Sequence, residues 1–161
     1  MRRRNFISAA GLTLSTFANR GLGSSLCFPT TFQSPAFEPP TPYSNTTDPA
    51  TFLYGTYDLW TSLPVSGAWT NLPHNNEGYC QKLFFWRRGY DWRADSHPNL
   101  ILTGKRIDAD APTIAFSNAS PAFTKTNTPA IVTTVIVPLL GCWEFSAYYV
   151  GHTLTFIVSV A

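Results

Sequence analysis

Residues 142–160 read CWEFSAYYVGHTLTFIVSV, and this stretch decides the fold. In the first run, Trp143, Phe145, Ala147 and Tyr149 fall on one side of an extended chain, with Glu144, Ser146 and Tyr148 on the other, because successive side chains of a strand point to opposite faces. Leu154, Phe156, Val158 and Val160 repeat the pattern after Val150-Gly151, a two-residue link of the length that closes a tight hairpin. A hairpin with one apolar face must bury it against another layer, so a second sheet is implied.

Upstream, short runs of strand-forming residues recur between turn residues: 57–63, 67–70, 80–87, 100–107, 113–117 and 131–138. No segment carries a convincing amphipathic helical period, and thirteen prolines and ten glycines favour many turns. The fold class expected is all-β, a single immunoglobulin-like antiparallel sandwich over residues 51–161. The chain is 161 residues long, 44% hydrophobic, 15% aromatic and only 12% charged. One core accounts for that length. The net charge of +2 includes Arg2, Arg3 and Arg4; without them the domain is close to neutral, which argues against a nucleic-acid partner, since such binders need a basic stripe.

Residues 1–26 have the layout of an export signal. Arginines lead, Phe6 to Ala18 are mildly apolar, and Arg3-Arg4-Asn5-Phe6-Ile7 matches the core of a twin-arginine signal. The stretch is shorter than the about 20 apolar residues of a permanent span, and no later segment qualifies either. The expected location is therefore periplasmic or extracellular. A lipid anchor at Cys27 is the lesser alternative, because Leu26 stands where lipoprotein processing wants a small residue. Residues 27–50 are rich in Pro, Ser and Thr, and their prolines fix φ and remove backbone donors; an extended arm packed down by Phe32, Phe37 and Tyr43 is expected.

Chemistry-bearing groups are sparse. His74, His97 and His152 lack the close spacing of local metal motifs, and no cofactor is implied. Asp91 or Asp95 with His97 and a serine could be drawn as a triad, yet no G-x-S-x-G elbow marks a nucleophile. Asp108 and Asp110 read as a turn before Pro112. Asn45 and Asn118 open N-x-[ST] patterns that mark surface loops. The richest segment is FFWRRGYDWRADSHP, residues 84–98. Its Trp86, Tyr90 and Trp92 stand beside Arg87, Arg88 and Arg93, a mixture found at the anchors of binding surfaces. The competing account is packing, with Trp92 plugging one end of the core and the arginines paired locally, since aromatics at a sandwich corner are ordinary core plugs. Those six residues are the candidate binding surface. Trp60 and Trp143 read as core, Trp143 beneath the sulfur of Cys142.

The stretches FEPPTPY, YGTYDLWTSLPVSGAW, LPHNNEGYCQKLFFWRRGYDWRA, LTGKRIDADAP and LGCWEFSAYYVGHTLTFIVSV together resemble an uncharacterised family of small exported bacterial β-sandwich proteins and lipoproteins. The resemblance covers nearly the whole chain from Cys27. It implies a disulfide between Cys27 and Cys142, with Cys80 as the odd thiol where the family commonly has arginine. A Cys80–Cys142 bond, like the inter-sheet bridge of immunoglobulin domains, is the alternative left open by spacing. The function expected is a non-enzymatic binding or structural module of the cell envelope, whose partner is a protein, peptide or glycan. The alternative is an envelope hydrolase or enzyme inhibitor with a site assembled from loops.

Overall fold

The computed structural model describes residues 26–43, 48–123 and 128–161. Arg3, Arg4 and the rest of the signal-like segment before Leu26 lie outside the described residues, as does Asn45. Eleven strands form among the described residues: β1 (Thr51–Thr56), β2 (Leu59–Pro64), β3 (Ala68–Trp69), β4 (His74–Asn75), β5 (Gly78–Trp86), β6 (Ile101–Arg106), β7 (Ile114–Phe116), β8 (Ser120–Phe123), β9 (Pro129–Val137), β10 (Gly141–Tyr149) and β11 (His152–Val160). They make two sheets. One runs β1-β2-β5-β9-β8, with β4 also paired to β5; the other runs β3-β11-β10-β6-β7. Every pairing is antiparallel except the short parallel contact of β3 with β11.

The alternation seen in the sequence sets the inner faces. Trp143, Phe145, Ala147 and Tyr149 of β10, with Leu154, Phe156, Val158 and Val160 of β11, are buried in one cluster with Leu59, Leu63, Leu83, Phe85 and Val135 of the facing sheet. At roughly 25 cal/mol per Å² of apolar surface, this shared layer is the main favourable term of the fold. Gly104 lies opposite Phe145 in the β6–β10 register. A Cβ there would come within 2.7 Å of the Phe145 ring, so the bare backbone makes room for a large neighbour.

The registers also fix two ends. Tyr79 pairs with Val137 and Gly141 with Val160, which gathers the β2–β3 turn, the β9–β10 turn and the end of β11 at one end. Trp60 pairs with Trp86 and Tyr149 with His152, which gathers the β1–β2 turn, the 87–100 loop and Val150-Gly151 at the other. Nine-residue strands such as β10 separate the ends by about 30 Å at the usual rise.

Residues 26–43 contain no helix or strand and pack along the sandwich. Cys27 is bonded to Cys142, with Cα atoms 5.5 Å apart; this is the pairing the resemblance implied, and it commits the sulfur that a lipid thioether would use. Pro29 lies against Gly67. Thr30 covers part of the β11 edge, its N–H donating to the Ile157 carbonyl at 2.8 Å while its hydroxyl accepts the Ile157 N–H at 2.8 Å. The chain then reaches the other sheet. Phe32 meets Phe52 edge-on, Phe37 packs on Tyr57 and Trp60, and Tyr43 stands perpendicular to Trp60 at 5.0 Å.

Two readings of the sequence, both on cysteines, need correction, and the core reading of Trp60 is refined. Trp60 is buried but not in the inter-sheet core: it alternates with Leu59 and Thr61, so it points to the outer face, where Phe37 and Tyr43 cover it. Cys142 does not lie over Trp143, because neighbours on a strand face opposite ways; the disulfide sits on the outer face of its sheet. Cys80 cannot reach Cys142, since it shares the parity of exposed Lys82, opposite to core Leu83 and Phe85. The two sulfurs face outward from different sheets, which pack about 10 Å apart, beyond the Cα separation of about 7 Å that a disulfide tolerates. Cys80 is a half-buried free thiol.

Candidate binding surface

The 87–99 loop leaves β5 at Trp86 and crosses to the other sheet over the open end of the sandwich. Arg88 is docked by its backbone, donating to the Tyr57 carbonyl at 3.0 Å, and its guanidinium lies 5.7 Å from the Tyr57 ring centre. The Arg87 carbonyl accepts the Tyr43 hydroxyl at 2.7 Å, and the Arg87 guanidinium lies 5.9 Å from the Tyr149 ring. Gly89 has φ 72°, in the left-handed region that turns the chain back on itself, so that the Tyr90 N–H reaches the Arg87 carbonyl at 3.2 Å.

This turn drives Tyr90 inward. Its ring meets Tyr149 edge-on, its hydroxyl donates to the Asp95 carbonyl at 3.2 Å, and the Tyr149 hydroxyl donates to Asp95 Oδ2 at 2.5 Å. Burial, reinforced by the negative charges of Asp95 and Asp91, pushes the Tyr90 phenol up to about 12. Burial and then the hydrogen bond to Asp95 raise Tyr149 as well. Asp91 Oδ1 accepts the Arg93 N–H at 2.9 Å and the Asp91 carbonyl accepts the Asp95 N–H, which rounds off the turn carrying Trp92. Trp92 packs against the core from the open end, with Phe123 edge-on to it at 5.6 Å and the Arg93 guanidinium 4.4 Å from its ring centre.

The structure therefore divides the six candidate residues. Tyr90 is buried; Trp92 is half-buried with Arg93 over it; Trp86 lies on the outer face of β5, stacked on Phe84 at 6.2 Å and neighbouring Trp60. Arg87 is half-buried beside Tyr149; Arg88 and Arg93 are exposed, and neither is in an ion pair among the described residues. Tyr57, Phe123, Tyr149 and Val150 join this end without any local signal in the sequence, brought there by the strand registers, whereas Asp95 belongs to the 84–98 segment itself.

The other chemistry-bearing groups stay apart. The His74 ring packs on Tyr79, His97 Nδ1 contacts the neighbouring Ser96 hydroxyl at 3.0 Å, and His152 lies 3.8 Å from Asp58. Asp95, drawn with His97 as a triad partner, has its carboxylate on Tyr149 instead. Among the described residues no three His, Cys, Asp or Glu side chains gather in a way that could hold a metal ion. Where β2 and β5 part after Thr61 and Phe85, a cleft of ≈ 180 Å³ opens between Ser62, Pro64, Lys82 and Phe84. No helix among the described residues is long and apolar enough to cross a membrane. No protein-family model, curated protein or solved structure matches the chain.

Proposed function

We propose that this is an exported, non-enzymatic binding module of the bacterial cell envelope, an immunoglobulin-like sandwich whose proline-rich arm is part of the folded domain. Its contact surface is the loop end, and its partner is a protein, peptide or glycan carrying carboxylates. One observation carries this reading. Two exposed arginines, Arg88 and Arg93, are each held over an aromatic ring with no carboxylate paired to them among the described residues. A guanidinium so positioned keeps its planar donors free for a carboxylate, while the ring beneath fixes its orientation and offers an edge for stacking.

The test uses isolated peptidoglycan and poly-glutamate as probes. The protein is expected to bind at least one of them in a salt-sensitive manner, and the double variant Arg88→Ala, Arg93→Ala is expected to bind about tenfold more weakly. Far-UV circular dichroism should be unchanged, because both side chains are exposed. Full binding by the double variant, or no binding to either probe by the parent, removes the reading. Export is tested separately: Arg3→Lys with Arg4→Lys should leave the protein in the cytoplasm, and undiminished export of the variant defeats the twin-arginine assignment.

A further inference from the structure

The cleft between β2 and β5 has a lining that neither the core nor the loop end uses. β2 stays paired with β1 as far as Pro64, but with β5 only at Trp60–Trp86 and Thr61–Phe85. β4 takes up the same side of β5 only at Tyr79 and Gly78. Residues 81–84 of β5 therefore have β9 on one side and, among the described residues, no strand on the other. The Thr61 hydroxyl closes one corner of the split by donating to the Phe84 carbonyl at 2.7 Å. From there the split runs toward the tip, the end of the sandwich closed by the Cys27–Cys142 disulfide, and holds ≈ 180 Å³ of open space.

Alternation decides what each residue offers. Ser62, Pro64, Lys82 and Phe84 belong to the outer face and Leu83 to the inner one, so the cleft passes between the strands to Trp69, which packs on Phe145 in the inter-sheet core. Trp69 is only 5% exposed, yet its indole N–H has no hydrogen-bond partner among the described residues. No fully buried side-chain nitrogen or oxygen there lacks a partner, so the indole nitrogen touches open space, and the space that Trp69 lines is the cleft. The main chain adds a second donor. The Cys80 N–H points away from β9, to the Pro73 carbonyl at 2.8 Å; the Lys82 N–H, two residues on, points the same way, into the split. The Lys82 side chain is exposed and in no ion pair among the described residues, and the Ser62 hydroxyl is unbonded there too.

We propose that this cleft binds a short organic acid, its carboxylate accepting from the Trp69 indole, the Lys82 main chain and the Lys82 ammonium, and its apolar body lying on Pro64, Leu83 and Phe84. Three arguments fix that class. Indole, main-chain N–H and ammonium groups only donate, so what fills the cleft must bring acceptors. One donor is cationic and no acidic side chain lines the cleft, so the acceptor is an anion, whose bonds to N–H groups are the strong, charge-assisted kind; the flexible four-carbon stem of Lys82 lets its ammonium come down over the mouth. The open space matches about six waters at about 30 Å³ each and falls short of the about 300 Å³ at which drug-sized sites begin, which suits an acid of a few carbons. An indole N–H inside a core ordinarily has a partner, and the carboxylate supplies it. The site shares no residue with the loop end, so either reading can fail alone.

The experiment is an NMR titration of the isotope-labelled protein with sodium butyrate at constant ionic strength, set against butyramide as the uncharged counterpart. The five tryptophans give separate indole N–H signals, and that of Trp69 is assigned through its neighbour Phe145. Butyrate is expected to move the Trp69 indole and Lys82 amide signals saturably and to leave those of 87–99 in place, while butyramide binds at least about tenfold more weakly. Lys82→Met should weaken butyrate binding about tenfold. Lys105→Met, which removes an exposed lysine from the other sheet, should bind as the parent does. Trp69→Phe keeps a ring on Phe145 and should also lose about tenfold; if that core change unfolds the protein, Lys82→Met decides the question. No saturable shift at Trp69, equal binding of butyrate and butyramide, or full binding by Lys82→Met would each overturn the inference, and movement of the 87–99 signals alone would assign the carboxylate to the loop end instead.

Discussion

The two ends of the sandwich are closed by different chemistry. At the tip, closure is by covalent bond and backbone: Cys27 to Cys142, Pro29 on Gly67, and carbonyls held by the Trp143 indole and by turn N–H groups. Arg106 and Asp108 add an ion pair at 2.7 Å beside Gly141, and that hydrogen bond holds the Asp108 carboxyl below its ordinary value. At the loop end, closure is by side chains: Tyr90, Tyr149 and Asp95 form a polar knot, and arginines lie over Tyr57, Tyr149 and Trp92. One end answers to a reductant and the other to alkali, which makes the two separable by experiment.

The largest effect is expected at the tip. Replacing Cys27 and Cys142 together by Ser opens a loop of 115 residues in sequence, worth about 4 to 5 kcal/mol in the chain-entropy account, whose mechanism is model-dependent. Denaturant unfolding measures the loss. Hydrogen exchange should then rise at Thr30 and Ile157, whose two mutual bonds lose their anchor, while Tyr90 and Asp95 keep their protection. Equal deprotection of both ends would show that the ends are one cooperative unit.

The loop end should break first in alkali. Tyr90 titrates at about 12 in the fold against 10.0 unperturbed, and Tyr149 is raised too, so the fold favours the neutral phenols. Their contribution is whole below about pH 10 and is lost as pH rises through the folded values. Tyr149→Phe should cost about 2 kcal/mol near neutral pH, because Asp95 loses a charge-assisted bond. The variant should also lose less stability than the parent between pH 10 and 12. An identical pH profile for parent and variant would remove Tyr149 from the alkaline transition.

The same contrast explains what could be read in the sequence. The final hairpin was legible, since period-two alternation in 142–149 and 152–160 survives in β10 and β11 with side chains on the expected faces. β8 was missed because SPAF carries Pro and little strand preference; its pairing with β9 makes it a strand. β4 is two exposed residues that exist only as partners of β5. β1 lies at the start of the expected sandwich but is not among the expected strands, and the strand expected from Tyr57 begins at Leu59 because Tyr57 and Asp58 form the turn. Trp60 is buried as expected, but on the outer face of β2, where Phe37 and Tyr43 cover it. At the loop end the obstacle is distance along the chain: Asp95 and Tyr149 are 54 residues apart, and no local pattern couples them.

The smallest expected effect bears on why the loop end is built loosely. Val150 has φ 47° and is exposed, followed by Gly151 at 81°. Two successive positive φ values make the turn that joins β10 to β11, and such turns favour Asn-Gly; a β-branched residue there carries about 1 kcal/mol of strain. Val150→Asn should therefore stabilise the protein by about that amount, raising the unfolding midpoint without changing the β10–β11 register. Strain kept at a surface points to use of the side chain there. If Val150 belongs to the contact surface, the stabilised variant should bind the same probe more weakly, as the Arg88 and Arg93 variant does. If binding is unchanged, the surface is confined to the arginines and their rings, and Val150 is only a tolerated turn residue.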